Sequence, residues 1–203
     1  MQTKMKAELR KDQILDCSKK IFSAQGYYET HVEEIIKEAK VGKGTFYRYF
    51  KNKEDLFISL LIKYLYEWEK IASVELSQIN INNIYDMFKR LIKQSIQFFY
   101  DNEDLCNIYL RVGPGLNKIF EPYLVRFEEQ MLGYIKDYIN EGVKLGFFKP
   151  DLNIELAANI VGGAYLRVDY YYFVIKKHRG DASFDIDKLT DEFYEIILHG
   201  FMI

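Results

Sequence analysis

Three prolines, two cysteines and three histidines are all that 203 residues hold of those types, and each scarcity excludes something. A many-turned β-sandwich needs frequent breakers, so a chain this poor in proline points to long uninterrupted elements. Cys17 and Cys106 share no short spacing with each other or with a histidine, which argues against a disulfide framework or a zinc site and for a reducing cytosol. His31, His178 and His199 are isolated, and no H-E-x-x-H or nucleophile-elbow pattern surrounds them. Gly42-Lys43-Gly44-Thr45 has the look of a phosphate loop but lacks its G-x-x-x-x-G-K-[ST] spacing. No run approaches the ~20 apolar residues of a membrane span, and the opening MQTKMKAELRKDQ lacks the apolar stretch of a signal peptide. The expectation is a soluble, cytoplasmic chain that is not an enzyme and needs no metal or cofactor.

What is present is apolar and aromatic. Hydrophobic residues make up 49%, enough for a sizeable core, and there are 17 tyrosines and 15 phenylalanines. The formal charge of −2 hides a split. Residues 1–55 carry 12 basic and 9 acidic side chains, the other 148 carry 16 and 21. A basic head on an acidic body suits a polyanionic partner for the head alone, although solvated helix faces give the same split.

Apolar periodicity reads as helix after helix. Ile14, Leu15, Ser18, Ile21 and Phe22 share a face before Gly26 stops it. Thr30 is placed to cap a short helix carrying Val32, Ile35, Ile36 and Ala39. After Lys40-Val41-Gly42, another short helix runs from about Lys43 to Phe50. Asn52 opens a long one with the stripe Leu56, Phe57, Leu60, Leu61, Tyr64, Leu65, Trp68 and Ile71. Further helices are expected over roughly 82–100, 103–111, 117–142, from Asn153 to about Lys177, and from Asp185 or Asp187 onward, with a decisive break at Gly113-Pro114-Gly115. The fold class is all-α: residues 1–51 are expected to form a small three-helix module and 52–203 a larger helical bundle.

Two short helices joined by a tight turn, the second rich in aromatics, suggest a helix-turn-helix. At about 100° per residue, Phe46 and Phe50 point inward while Gly44 and Arg48, flanked by Thr45 and Tyr47, point outward. Gly44 lets the backbone approach DNA closely, and Lys43 adds charge to a helix N-terminus that already attracts phosphate. Arg48 matches the O6/N7 edge of guanine, and Thr45 suits a base edge or a thymine methyl. Tyr47, Tyr49, Lys53 and the Thr30 hydroxyl suit phosphates. Packing aromatics and a solvated lysine account for Tyr47, Tyr49 and Lys53 equally well.

Residues 11–61 carry Ile14-Leu15, Ile21-Phe22, Gly26-Tyr27, Thr30, Ile35, the run Gly44-Thr45-Phe46-Tyr47-Arg48-Tyr49-Phe50 and then Lys53-Glu54-Asp55-Leu56-Phe57. This combination of spacings resembles the N-terminal domain of the TetR family of transcriptional repressors. The resemblance implies an all-helical homodimer that leaves a double-stranded DNA operator when a small molecule enters the C-terminal bundle. It maps DNA contacts onto Thr30, Lys43, Thr45, Tyr47, Arg48, Tyr49 and Lys53. Two positions depart from the pattern: Lys40 and Gly42 stand where the family usually has Gly and Ser around Val41. If Lys40 takes positive φ, the strain is about 1–2 kcal/mol.

Beyond residue 75 the likeness is loose. Ala158, Val161, Gly162 and Tyr165, with Phe193, Ile197, Gly200 and Phe201, form small or apolar faces suited to a dimer interface, and equally to packing within one chain. Candidates for lining an effector cavity are Trp68, Phe88, Tyr109, Tyr123, Phe127, Tyr134 and Tyr165, since tyrosine joins apolar area to a polar tip; plain core is the alternative for each. Arg111 or Arg167 suits an acidic ligand and Asp169 a basic one, though all three read more simply as surface groups. The effector is expected to be aromatic or amphipathic. A helical protein–protein interaction module is the competing function, and it leaves the Lys43–Lys53 face unexplained.

Overall fold

A computed structural model describes residues 2–76, 79–80, 82–177, 179 and 185–201, with side chains for all of these except 2–5, 74–76, 111, 200 and 201. Among the described residues, every regular element is helical. α1 spans Gln2–Glu29 and breaks at Gly26, whose φ of 85° and ψ of 171° no helical residue adopts. α2 (Val32–Glu38) and α3 (Lys43–Tyr49) follow, then the long α4 (Lys53–Leu76). α5 covers Ile84–Asp101, and α6 (Glu103–Asn107) continues into a π-helical turn, Ile108–Val112. The Gly113–Gly115 segment then tightens to a 3-10 turn and ends the run. α7 (Glu121–Lys144) and α8 (Ile154–Asp169) pack along each other, α8 runs on as a π-helical segment (Tyr170–Lys176), and α9 (Ile186–Phe201) lies along α5. No helix among the described residues is long and apolar enough to cross a membrane.

Local chemistry explains the boundaries. The N-cap of α2 is His31 rather than the expected Thr30; the Glu34 carboxylate accepts the His31 backbone N–H at 3.2 Å. Thr30 instead closes α1, donating its hydroxyl to the Gly26 carbonyl at 2.6 Å. Asn52 caps α4 by accepting the Asp55 N–H at 2.8 Å, and the Asp55 carboxylate accepts the Lys51 N–H at 2.8 Å. Asn153 and Asp185 cap α8 and α9 in the same way.

The ends of α2 and α7 make an instructive pair. Both close with the same 6→1 bond, Val41 N–H to Ile36 O and Phe147 N–H to Gly142 O, each around a left-handed residue. At α7 that residue is Gly146 (φ 73°); at α2 it is Lys40 (φ 50°). A Cβ in that region costs roughly 1–2 kcal/mol, so Lys40→Gly is expected to stabilise the protein by about 1 kcal/mol, read as a higher urea midpoint at unchanged slope. An unchanged or lower midpoint would refute the strain.

One core runs through both parts. In the head, Ile14, Leu15, Phe22, Ile35, Ala39, Phe46 and Phe50 pack onto Leu56 and Phe57 of α4, all nearly solvent-free. The predicted α4 stripe from Leu56 to Trp68 is buried throughout, which makes this helix the shared wall of head and body. Across the junction the Phe120 ring meets Tyr27 at 4.7 Å and Phe57 at 5.1 Å, Asn107 Nδ2 donates to the Ser23 carbonyl at 2.5 Å, and Lys19 Nζ donates to Asn102 Oδ1 at 2.8 Å. A shift of α6 or α4 therefore reaches α1 through packed rings and short hydrogen bonds.

Candidate functional site

α3 is only seven residues long, too short to hold its shape without tertiary support. That support comes from Phe46 and Phe50, which are 0% and 1% exposed. Their burial turns the opposite side outward: Lys43, Gly44, Tyr47 and Arg48 are exposed, and Thr45 and Tyr49 half-exposed. A Cβ at Gly44 would meet nothing within 4 Å, so the backbone there lies open. Lys43 sits 3.7 Å from Glu33, an exposed pair that holds it loosely. Cationic, hydroxylic and aromatic groups thus share one uncovered face whose backbone can be approached closely.

Two of the sequence-predicted contacts are turned inward. Thr30 is fully buried, with its only hydroxyl proton committed to Gly26 O. Lys53 Nζ donates to the carbonyls of Tyr27, Tyr28 and Thr30 at 2.8, 3.2 and 2.8 Å and lies 4.5 Å from the centre of the Tyr27 ring. It closes the C-terminal end of α1 with all three of its protons used, a role that replaces the phosphate grip expected for it. Sequence spacing cannot show this, because the three carbonyls become convergent only at the Gly26 break.

In the body, Trp68, Phe88, Tyr134 and Tyr165 line one apolar cleft of about 40 Å³. Leu91, Ile92, Ser95, Met131, Tyr138 and Val161, which no sequence argument singled out as cavity residues, complete most of its wall. The periodicity of α5 carries the signal for three of them, since Leu91, Ile92 and Ser95 continue the Phe88 face. Tyr109 and Phe127 stand behind this wall, stacked at 4.6 Å, with Phe127 edge-on to Trp68 at 5.6 Å. Tyr123 is half-buried against the core, outside the cleft. Arg167 is exposed near the Tyr170 ring, and the Arg111 side chain lies outside the described residues. Asp169, expected at the surface, is fully buried instead, and among the described residues neither of its carboxyl oxygens makes a well-aligned hydrogen bond.

The expected pairing face also needs correction. Ala158, Val161, Gly162 and Tyr165 are buried within the chain; a Cβ on Gly162 would meet Leu132 Cδ2 at 2.9 Å, so this small-residue stripe seats α7. Phe193 and Ile197 are likewise buried inside, and the side chain of Phe201 lies outside the described residues, as does any side-chain account of position 200. What α8 and α9 leave bare is different: Leu156, Ile160 and Ile196 are 57%, 50% and 73% exposed, and Gly163 has nothing within 4 Å of a would-be Cβ. Apolar residues of both kinds line these helices, and only packing decides which side faces inward.

The head matches the family model for bacterial regulatory proteins of the tetR family over residues 14–60. The uncharacterized HTH-type transcriptional regulator YhgD of Bacillus subtilis is 30% identical over 165 residues, 77% of this chain and 81% of its own. The fatty acid metabolism regulator protein of Bacillus subtilis is 24% identical over 197 residues, 93% of either chain. Among solved structures, FadR from Bacillus halodurans superposes with a TM-score of 0.81 at 23% identity over 94% of this chain and 95% of that one. FadR from Bacillus subtilis in complex with stearoyl-CoA gives 0.78 at 21% identity, over 93% and 97%. These two extend the shared fold through the body as well as the head. With its head matched by the family model, and with a regulator relative aligned over most of both chains, this protein belongs to the TetR family of helix-turn-helix transcriptional regulators.

Proposed function

We propose that the chain is a homodimeric repressor that places one α3 per subunit in successive major grooves of a near-palindromic operator and lets go when an effector enters the bundle. It acts in the cytoplasm, by binding alone and without catalysing a reaction. The observation that carries this reading is the division of α3, with Phe46 and Phe50 sealed inside while Tyr47 and Arg48 stand free. Arg48 reads a guanine edge, Thr45 a neighbouring base, and Lys43, Tyr47 and the half-exposed Tyr49 hold phosphates. The head ends near residue 51, and the chain from Asn52 onward carries sensing and pairing. Pairing uses the bare side of α8 and α9, namely Leu156, Ile160, Gly163 and Ile196.

The effector reading rests on the aromatic cleft and on what is bound by a similar fold. A cleft lined by Trp68, Phe88, Met131 and Phe193 suits an apolar chain, and the Bacillus subtilis FadR structure holds stearoyl-CoA. At about 40 Å³ the cleft is too small for such a chain, so entry must part α4 from α7 and α8. Because α4 is also a wall of the head, that parting moves α3. The two α3 helices must match a DNA repeat of about 34–36 Å, so a few ångströms of displacement shifts the population away from the DNA-competent spacing.

A gel shift against DNA flanking the protein's own gene tests the proposal. Arg48→Ala is expected to weaken specific binding by about 1–3 kcal/mol and to leave the sedimentation profile untouched. Unchanged affinity, or binding that depends on salt with no sequence preference, would remove the reading and leave only a basic surface.

A further inference from the structure

The inner side of α8 carries Val161, Tyr165, Asp169 and Phe173 at successive turns. Val161 and Tyr165 face the apolar cleft. Phe173 lines a second cleft of about 400 Å³, whose other walls include Ser23 of α1, Asn107 of α6, the carboxylates of Glu103 and Asp104, and Lys177, which is paired with Glu103 at 2.6 Å. Asp169 lies between these positions along the helix and lines neither cleft directly, at the point where α8 gives way to its π-helical segment, a distortion that recurs at functional sites.

Its surroundings are unusual for a carboxyl group. Asp169 is fully buried, and no cationic side chain lines the apolar cleft beside it. The groups that face it are the Tyr165 hydroxyl and the Cys106 thiol, with Ser95 beside Tyr165. The Tyr165 hydroxyl lies within hydrogen-bonding reach of Asp169 and Ser95 but is poorly aligned with either, and no well-aligned partner is found among the described residues for the Asp169 oxygens. A buried polar group left unpaired costs about 1–3 kcal/mol, so a cluster of this kind is retained where something else completes it. Burial pushes the Asp169 carboxyl well above the usual carboxylate range, against a smaller opposing effect from the Tyr165 hydroxyl. Burial thus favours the neutral acid, the form that carries a proton to donate.

We propose that Asp169 and Tyr165 form a hydrogen-bonding site for an uncharged carbonyl group within an otherwise hydrophobic effector, such as an ester, thioester or amide, whose tail occupies the apolar cleft as the helices around it part. This rests on the reading of the bundle as an effector cavity and names the chemistry it selects. A carbonyl oxygen accepts from the Asp169 O–H and the Tyr165 O–H together. A carboxylate at the same place would meet the same two donors but no cation lining the apolar cleft, so part of its desolvation cost stays uncompensated. Whatever lies beyond the carbonyl finds room in the second cleft, against Ser23 of the head, so the effector touches both parts of the protein.

Trp68 is the single tryptophan and lines the apolar cleft, so its fluorescence reports binding directly. The full-length protein is titrated with methyl decanoate, decanoate and decylamine at pH 7, below their aggregation concentrations. Methyl decanoate is expected to bind about tenfold or more tightly than either charged probe, because only it avoids burying an uncompensated charge. Asp169→Asn, which keeps a neutral donor, should bind the ester within about threefold of the parent, whereas Asp169→Leu and Tyr165→Phe, which each remove a donor, should weaken ester binding by about fivefold or more. If Asp169→Leu does not fold, Tyr165→Phe carries the same comparison. Decanoate or decylamine binding as tightly as the ester, or ester affinity unchanged in Asp169→Leu and Tyr165→Phe, overturns the assignment and leaves the cavity reading standing. No fluorescence response to any of the three overturns the cavity reading along with it.

Discussion

Phe46→Ala is expected to cost about 3–5 kcal/mol of stability, the range for removing a fully enclosed aromatic side chain, and to abolish operator binding. Phe46 is 0% exposed, 5.7 Å from the Phe50 ring and 5.2 Å edge-on to Tyr47. A seven-residue helix has no independent stability. Once its anchor is a methyl group, the outward side chains lose the frame that aims them. The body depends on Phe46 much less, so ligand-induced quenching of Trp68 should persist while gel-shift binding disappears. Phe46→Leu, which keeps most of the volume, should lose less than about 1.5 kcal/mol and retain binding. Urea denaturation together with gel shifts checks both variants. A loss below about 1 kcal/mol for Phe46→Ala would mean that α3 is held by something other than this ring.

Replacing Leu156 and Ile196 together by glutamate is the second large effect. In an isolated chain both positions face water, and surface substitutions there change stability by roughly 0.5 kcal/mol or less. Across a two-fold interface each carboxylate occurs twice, since such an interface uses the same patch on both subunits. Burying four unpaired charges is expected to cost about 4 kcal/mol or more, close to a thousandfold in the dimer dissociation constant. Sedimentation equilibrium should therefore show a folded monomer at micromolar concentration, with unaltered helical circular dichroism and no specific operator complex. An intact dimer in this double variant would move the pairing face elsewhere, whereas a misfolded chain would be revealed by its spectrum.

The sequence-level reading succeeded where a local rule was sufficient. Asn52, Asn153 and Asp185 announce helix starts because one side-chain oxygen satisfies an orphan N–H two or three residues on. Gly26 announces a stop because few other residues tolerate φ of 85°. The inward Phe46 and Phe50 and outward Arg48 follow from helical spacing alone. Even the strain at Lys40 was legible, as a lysine standing where a left-handed turn favours glycine.

Other assignments needed the three-dimensional arrangement, for a definite physical reason. A helical periodicity shows that a residue lies on an apolar face but not what covers that face. Val161 and Phe193 are as apolar as Leu156 and Ile196; α7 and α5 cover the first pair, and among the described residues the second pair stays largely exposed. Lys53 looks like a free cation until the kink at Gly26 brings three carbonyls to its ammonium group. Asp169 looks like a surface carboxylate until the packing of α5, α6 and α8 encloses it. Chain order alone determined the helices, the caps of α4, α8 and α9, and the outward side of α3. Tertiary packing decided which apolar face is core, which cation is spent, and which carboxyl is shut away from water, because each depends on neighbours that lie far off along the chain.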